Sequence, residues 1–540
     1  MRLTGKMEKR ELNGMSSKRS ENLLIYSSLA IFAIGYLACS LYFAGHTVLW
    51  MDEVLSVWAS RQPSAKAVYS AIAHGSEFAP PVFPLLLHFL AKGLGGGYRV
   101  LRIPEITSVF VTGFCAFILI RRYFGLALGA LGFCLLLEGL LPYVLNIRPY
   151  DLVTACFAVA LVFWNDLEQK KSWWRYVAIV LFLALGISLH FYAVLLVPCL
   201  GGIEIFYSLK RRTFRPGVWI ALFFAGASIF AWLPLISTMS HFVANDSGSP
   251  SYYAHPTIAS LLQSTKRIFM DGIPYTVIVI FALVLIGVGR LLGREHAVEE
   301  PDLQKDQVGF WAIGTGIMLF PLIVFAFSVV VTKTFNARYC IATIIGAVAI
   351  VCGSIRINRF FRRTIPAILA VALVLDLGYM RGLENRFNYE PAVASIPGTC
   401  PIVIINGDTW FALMEQLPAA QRNRIVYLTL PTNVRFGDPT NEHQVERWKA
   451  INPDLPVEGV SKFLRQNPKF YAVNFAINMK GSDATQADYL LSRHLIQLVS
   501  EKGNALIYKS VPTSPATGGV DAGHSPATTT PRPYPSGTRG

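Results

Sequence analysis

The chain has 540 residues, 53% of them hydrophobic and only 15% charged, with a mean hydropathy of +0.44. Soluble chains carry about 25% charged residues, and many of the apolar residues here fall in runs of about 18 or more, enough to cross a bilayer core, so composition excludes a water-soluble globular protein. The net charge of +15 is divided among short loops, which argues against a nucleic-acid footprint and for a topology signal, because Lys and Arg collect in cytoplasmic loops.

In chain order, a basic segment over 1–21, with Arg2, Lys6, Lys9, Arg10, Lys18 and Arg19, is expected to stay in the cytoplasm ahead of a first span near 23–45. That run is too long for a signal-peptide core and lacks a convincing small-residue cleavage site. Further spans are expected near 104–120, 124–143, 150–164, 176–190, 191–208, 217–236, 274–292, 309–331, 338–354 and 364–380. The basic turns "RRYFG", "EQKKSWWR", "SLKRRTFRPG", "GRLLGREH" and "RINRFFRR" fall on alternate connections and are assigned to the inside. The residues 22–381 then form a transmembrane domain of about 11–13 helices, with a first outer loop over 46–103. Within that loop, 54–73 has the apolar spacing of a helix lying on the membrane surface. The apolar segment 80–97 is short and opens on prolines, so it is expected to be re-entrant or interfacial.

After about residue 382 the pattern changes. "PIVIIN", "RIVYLTL", "KFYAVNF" and "NALIYKS" are short β-rich runs, spaced by helical stretches such as "TWFALMEQL" and "ADYLLSRHLIQLVSEKG". They indicate a small soluble α/β domain over 382–510, on the outer side. The Pro/Ser/Thr/Gly stretch 511–540 has too little apolar surface to fold. The fold class is therefore an α-helical polytopic membrane protein with a small C-terminal soluble α/β domain.

Seven of the eight cysteines lie in apolar runs and read as packing residues, and Cys400 has no obvious partner. HExxH, CxxC and P-loop spacings do not occur. No cofactor and no metal site is predicted; a divalent ion beside Asp52 is unsupported by spacing. "INGD" (405–408) at the end of an expected strand reads as a plain turn.

The polar residues expected near the outer boundary come from four distant places. "LWMDEVLSVWAS" (49–60) carries Asp52 and Glu53 between Trp50 and Trp58, which read as interfacial anchors. "NIRPYD" (146–151) offers Arg148, Tyr150 and Asp151, "SLHFYA" offers His190 and Tyr192, and "KTFNARY" (333–339) supplies Lys333, Asn336, Arg338 and Tyr339. A carboxylate near cations suits transfer chemistry on a phosphorylated substrate: the acid accepts a proton from an attacking hydroxyl, and the cations match the charge on a leaving phosphate. Arg gives planar multi-donor contacts to phosphate and Lys a point charge, so Arg148, Arg338 and Lys333 are the donor-phosphate candidates. Tyr150, His190 and Tyr339 would line the cavity. Glu138, Glu204 and Asp376 lie in or near spans, where an ionisable group is a functional candidate; of these, Glu138 is assigned to the cavity lining.

"WMDEVLSVWA", "APPVFPLLLHFLAKGLG", "YRVLRIPEITSVF", "RRYFG", "NIRPYDLV", "LHFYAVLLV" and "FNARYCIA", in that order, resemble the GT-C membrane glycosyltransferases. The likeness is to the family 39, RgtA/B/C/D-like type related to protein O-mannosyltransferases and aminoarabinose transferases. It covers roughly 20–380 and is strongest over 49–155. The resemblance implies transfer of a sugar from a polyprenyl-phosphate donor to a periplasmic glycolipid, polysaccharide or protein hydroxyl, with inversion, in a bacterial inner membrane. It also implies Asp52 as base or acceptor-orienting acid, Glu53 as its organiser, and Arg148 and Arg338 on the donor phosphate. Relatives often read "HPPLYYLLLH" where this chain reads "FAPPVFPLLLH", so Ala79 stands in place of a histidine and His74 lies a few residues earlier. The competing expectation is a transporter or flippase of a lipid-linked or anionic solute, and a third is a scaffold whose C-terminal domain binds periplasmic partners.

Overall fold

The structure is a computed structural model; it describes residues 2–249, 252–270, 276–280, 283–284, 287, 307–355, 359–384, 386–431, 434, 440–475, 484–502 and 505–511. The chain begins with α1 (Arg2–Ala44), then two short helices in the first loop, α2 (Met51–Ser60) and α3 (Ala65–Ala73). Next come α4 (Val82–Leu94), α5 (Tyr98–Leu101), α6 (Ile103–Phe124), α7 (Leu126–Leu140), α8 (Tyr150–Gln169) and α9 (Trp173–Leu189). A 3-10 turn, Phe191–Leu195, leads into α10 (Leu196–Arg211), and another, Ser228–Trp232, joins α11 (Pro216–Ala227) to α12 (Leu233–Ser247). After α13 (Ile258–Met270) come α14 (Val308–Met318), α15 (Phe320–Phe327), a π turn over Ser328–Thr332, a 3-10 turn over Ala337–Cys340, α16 (Thr343–Ser354) and α17 (Arg359–Leu383).

Six helical segments among the described residues are long and apolar enough to cross a membrane: Arg19–Ala44, Tyr98–Phe124, Tyr150–Gln169, Phe191–Arg211, Pro216–Ser247 and Val308–Thr332. Four shorter apolar helices, Val82–Leu94, Leu126–Leu140, Trp173–Leu189 and Thr343–Ser354, accompany them. The expected polytopic helical class is what the structure shows. Several expected spans are broken rather than straight, because Pro216, Pro234 and Pro321 sit at helix starts and the 3-10 and π turns interrupt the ladder. The expected span 274–292 lies mostly outside the described residues, as do the whole of the turn "GRLLGREH" and the tail beyond 511. Large side chains such as Leu23, Ile31, Phe114, Phe223 and Phe230 are exposed on the bundle surface, where a bilayer would cover them.

One expectation for the first loop changes. The segment 54–73 is not one surface helix: Pro63 ends the pattern, Ser64 caps α3 by accepting from Ala67 N, and α2 is buried along most of its length. The segment 80–97 contains the 13-residue α4, which packs on α2; His88 Nδ1 lies 2.8 Å from the Ser60 carbonyl at the end of α2.

The C-terminal part begins with α18 (Glu390–Ala394) and builds a six-stranded sheet of β1 (Ile402–Ile404), β2 (Ile425–Thr429), β3 (Val457–Gly459), β4 (Tyr471–Phe475), β5 (Ile496–Lys502) and β6 (Ala505–Ser510). The order is β3-β2-β1-β4-β6-β5, with β1 to β4 parallel and β6 antiparallel to both neighbours. Helices α19 (Gly407–Gln416), α20 (Ala419–Arg422), α21 (Thr440–Ile451), α22 (Val460–Gln466) and α23 (Ala484–Ser492) connect the strands. The stretch "ADYLLSRHLIQLVSEKG", expected to be helical, stops being so at Ser492: His494 takes a left-handed φ of 53° and the chain turns into the edge strand β5. "INGD" is a helix start rather than a plain turn, since the Asn406 side chain accepts from Asp408 N (2.7 Å) and Thr409 N (3.4 Å) to cap α19.

This sheet does not stand apart from the bundle. Leu49, Met51, Val54, Phe83 and Leu87 of the first loop share one buried core with Trp410, Phe411, Leu413, Trp448 and Ile402. Trp58, expected at a membrane interface, instead packs edge-on against Trp410, Phe411 and Trp448 with ring centroids 5.2–6.2 Å apart. Trp50 stacks on Phe387.

Candidate active site

Four chain segments meet at one end of the bundle. The first is the start of α2, where Glu53 occupies the third helical position and accepts from Trp50 N at 3.2 Å, capping its own helix. Its other oxygen accepts from Ile147 N (2.8 Å) and from Arg102 Nη2 (3.1 Å). Arg102 is fully buried and also donates to the Ala44 and Thr47 carbonyls, both at 2.8 Å. Burial pushes the Glu53 carboxyl above the ordinary carboxylate range, against the pull of Arg102 and the two backbone donors. Glu53 is thus a buried tie between α2, the start of α6 and the loop before α8.

Asp52, one residue earlier, is partly exposed and forms an ion pair with Arg338 through Oδ2 and Nη1. Its place in the first turn of α2 sets the carboxylate beside the positive end of that helix. Arg338 rides on the 3-10 turn Ala337–Cys340, whose preceding Asn336 side chain accepts from Arg338 N at 3.3 Å. The guanidinium lies 5.8 Å from the ring centroids of both Trp50 and Tyr150, and its Nη2 is 3.4 Å from Tyr253 Oη.

Arg148 approaches from the other side. Its Nη1 donates to the Asp52 carbonyl (3.0 Å), Ser56 Oγ (2.8 Å) and Glu77 Oε1 (2.5 Å). Glu77, almost wholly buried, also accepts from Ser56 Oγ at 2.9 Å. Burial raises the Glu77 carboxyl above its ordinary range, with Arg148 and Ser56 pulling it back; Arg148 loses by burial but gains more from Glu77, so its own value rises. The two arginines therefore have different company: Arg148 is committed to Glu77 and α2, whereas Arg338 faces a partly exposed acid.

Beyond Arg338 opens a cleft walled by Tyr150, His190, Tyr192, Phe320, Tyr339 and neighbouring apolar residues. Tyr339 stacks on Tyr192 with centroids 4.2 Å apart, and His190 lies 5.3 Å from both Tyr150 and Tyr339. Tyr192 is fixed by donating to the Thr334 carbonyl at 2.6 Å.

The structure thus brings together Asp52, Glu53, Arg148, Arg338, Tyr150, His190 and Tyr339. It does not bring in Lys333, which takes a left-handed φ of 54° after the π turn, is exposed, and donates to the Val329 carbonyl one turn back. Nor does Glu138 line the cleft: it is buried in α7 against Asp376 of α17. Sequence reasoning missed Glu77, Arg102 and Tyr253. The only signal for Glu77 was a single acid, "SEF", directly before the prolines that open α4. Among the described residues no three His, Cys, Asp or Glu side chains converge as metal ligands would.

The opposite end of the bundle is tied by ion pairs. Arg122 and Arg175 meet Asp166, Arg211 meets Glu168 (2.5 Å), and buried Arg215 meets buried Glu204, which also accepts from Trp164 Nε1 at 2.8 Å.

Residues 79–236 match the family described as dolichyl-phosphate-mannose-protein mannosyltransferase. Curated protein sequences include no significant match. Among solved structures, ArnT from Cupriavidus metallidurans bound to undecaprenyl phosphate is similar at TM-score 0.53 and 12% identity, covering 89% of this chain and 98% of that one. The same protein in the apo state matches at TM-score 0.52 with the same identity and coverage. The Archaeoglobus fulgidus oligosaccharyltransferase in its apo form matches at 0.41 and 13% identity over 84% of this chain and 69% of that one. The ordered motifs and the shared fold agree: this is a multi-pass membrane protein with the architecture of the GT-C glycosyltransferases.

Proposed function

We propose that the protein is an integral membrane glycosyltransferase that moves a sugar from a polyprenyl-phosphate donor to an acceptor hydroxyl on the outer side of a bacterial inner membrane. The observation that carries this reading is the Asp52–Arg338 pair at the mouth of the aromatic cleft, in a fold shared with a protein solved with undecaprenyl phosphate bound.

The donor phosphate sits on Arg338, whose guanidinium offers several donors to phosphate oxygens, and the first part of the lipid lies along the Tyr150, Tyr192 and Tyr339 walls. The acceptor hydroxyl approaches Asp52, which takes its proton as the oxygen attacks the anomeric carbon. The bond from that carbon to the phosphate oxygen breaks, and polyprenyl phosphate leaves with its charge matched by Arg338. A single displacement of this kind inverts the anomeric centre. Arg148, held by Glu77 and the Asp52 carbonyl, keeps the start of α2 in place and adds positive potential behind the phosphate. His190, in the cleft wall, shapes the space around the sugar. The N-terminus would then be cytoplasmic and the sheet domain periplasmic.

The test is incubation of purified protein with polyprenyl-phosphate sugars labelled in the sugar, together with an envelope extract as acceptor. Release of polyprenyl phosphate with label in a new product supports the reading. Label that crosses a vesicle bilayer still attached to the lipid would replace it with the flippase.

A further inference from the structure

We propose that the C-terminal domain is a working part of this site: Gln444 and Arg447 of α21 act as positioning residues that hold the segment Ser76–Phe78, and with it Glu77, against Arg148. The inference rests on the proposed function and gives the sheet domain a role in the same reaction.

Three observations converge. Gln444 is buried and donates through Nε2 to the Ser76 carbonyl, immediately before Glu77. Arg447 lies between two rings, 5.1 Å from the centroid of Phe78, immediately after Glu77, and 5.1 Å from that of Phe242 on α12. Its fork is fixed by Asp246 (2.9 and 3.1 Å), the Phe242 carbonyl (3.4 Å) and Gln444 Oε1 (3.2 Å). The approach is close: Gly75 has φ +78°, and a Cβ there would meet Phe242 at 3.0 Å and Arg447 Cδ at 3.2 Å. The domain therefore touches both residues that flank Glu77, while Glu77 itself points the other way, to Ser56 and Arg148.

A second grip acts on the far end of α2. Glu415 of α19 accepts from Trp58 Nε1 (2.7 Å), Arg61 (2.8 Å) and Tyr98 Oη (2.7 Å). The helix that starts with Asp52 and Glu53 is thus fastened to the sheet domain at its end, and the loop that closes over its start is fastened by α21. Displacing a reacting group by about 1 Å costs on the order of a hundredfold in rate, so loosening the Glu77 segment reads out as a loss of turnover more than of donor affinity.

The experiment is a double-mutant cycle of Arg447→Ala and Glu77→Gln on the full-length protein, with Gln444→Ala as the milder single variant. Each single change is expected to lower kcat roughly 10- to 100-fold, with the donor KM within about threefold. Because Arg447 acts through Glu77, Arg447→Ala in the Glu77→Gln background is expected to cost less than about twofold more. Losses that multiply in the double variant, or full kcat in Arg447→Ala and Gln444→Ala, would overturn the proposal. A readout free of activity separates it from the function reading. Backbone hydrogen exchange of residues 74–81 and 146–149 is expected to quicken in Arg447→Ala whether or not the substrate class is right. Unchanged exchange in both segments would overturn the positioning role, whereas quickened exchange in Arg447→Ala, with a wild-type protein that transfers no sugar, would fault only the function.

Discussion

Replacing Glu53 with Gln is the perturbation that best separates structural acid from reacting acid. The side chain is 2% exposed and receives three protein donors: Ile147 N and Arg102 Nη2 on one oxygen, Trp50 N on the other. A glutamine of the same shape keeps only one acceptor. Its best orientation leaves the carbonyl oxygen toward Ile147 and Arg102 and turns the amide NH2 against the Trp50 N–H, donor against donor. Arg102, itself fully buried, loses the charge of its carboxylate partner among the described residues, keeping the neutral glutamine oxygen and the Ala44 and Thr47 carbonyls. Breaking a buried pair from one side costs about 3–5 kcal/mol. The acceptors that remain to Arg102 and the raised Glu53 value, which marks a carboxylate already expensive to bury, put this change near the lower bound, about 3 kcal/mol. That is roughly a hundredfold in the folded population. The measurement is thermal unfolding in detergent, followed by tryptophan fluorescence and by loss of the monodisperse peak. A Glu53→Gln protein that melts with the wild type would refute the description of Glu53 as the tie that holds α2 to α6 and to the 146–149 loop.

Asp52→Asn is expected to behave in the opposite way, abolishing transfer by more than a hundredfold as a lost base does while the melting temperature and donor binding stay near wild type; retained transfer removes Asp52 from the mechanism. Arg338→Ala is expected to weaken binding of polyprenyl phosphate about tenfold or more while acceptor affinity is little changed, measured by titration of the lipid into purified protein. Arg338→Lys should recover only part of this, because a point charge replaces a fork. The hydrogen bond to Asp246 raises His443 above its ordinary value of about 6.5 despite partial burial, with Arg447 opposing and Glu446 assisting. A raised folded value means the stabilisation is fully present below about pH 6.5 and is lost as pH rises through the folded value. Unfolding followed from pH 6 to 8.5 should therefore show the sheet domain loosening toward alkaline pH, and His443→Gln should flatten that dependence.

How much of this was legible in the sequence depended on whether a residue's partner announces itself locally. The helical class and the gathering of Asp52, Arg148, Tyr150, His190 and Arg338 at one end followed from hydropathy and the alternation of basic turns, because a bilayer forces polar side chains to the ends of spans. Glu138 satisfied the same rule on paper, yet it faces Asp376 across α7 and α17; a one-dimensional pattern gives the depth of a residue in its helix but not the neighbour it turns toward. Glu77 and Arg102 looked like ordinary loop charges. Their partners, Arg148 and Glu53, lie 71 and 49 residues away, so only the tertiary fold reveals that both are buried. Trp58 was misread for a related reason. Tryptophan beside a span usually sits at the headgroups, but here the sheet domain covers that surface and supplies Trp410, Phe411 and Trp448 as its surroundings. The edge strand β5 shows a local failure: it exposes most of its side chains, so "IQLVSEK" lacks the apolar alternation that marks a half-buried strand.

The unlike ends of the bundle bear on the choice between enzyme and flippase. A carrier must expose its site to each side in turn, so both ends have to open at accessible cost. At the Asp52 end the central ion pair is partly exposed and borders an open cleft. At the other end, Arg215 and Glu204 are 7% and 0% exposed in their side chains and are locked further by Trp164, while Arg122, Arg175 and Arg211 tie α6, α9 and α10 to the acids at the end of α8. Sugar transfer needs no such opening. On the proposed reading the donor lipid would reach the cleft sideways from the bilayer, the acceptor would come from the outer face, and the carrier phosphate would depart by the way it came. A bundle tied by ion pairs at one end, with a partly exposed ion pair beside a cleft at the other, fits the proposed group transfer at a membrane surface, and on that reading the sheet domain that covers α2 lies where the acceptor would pass.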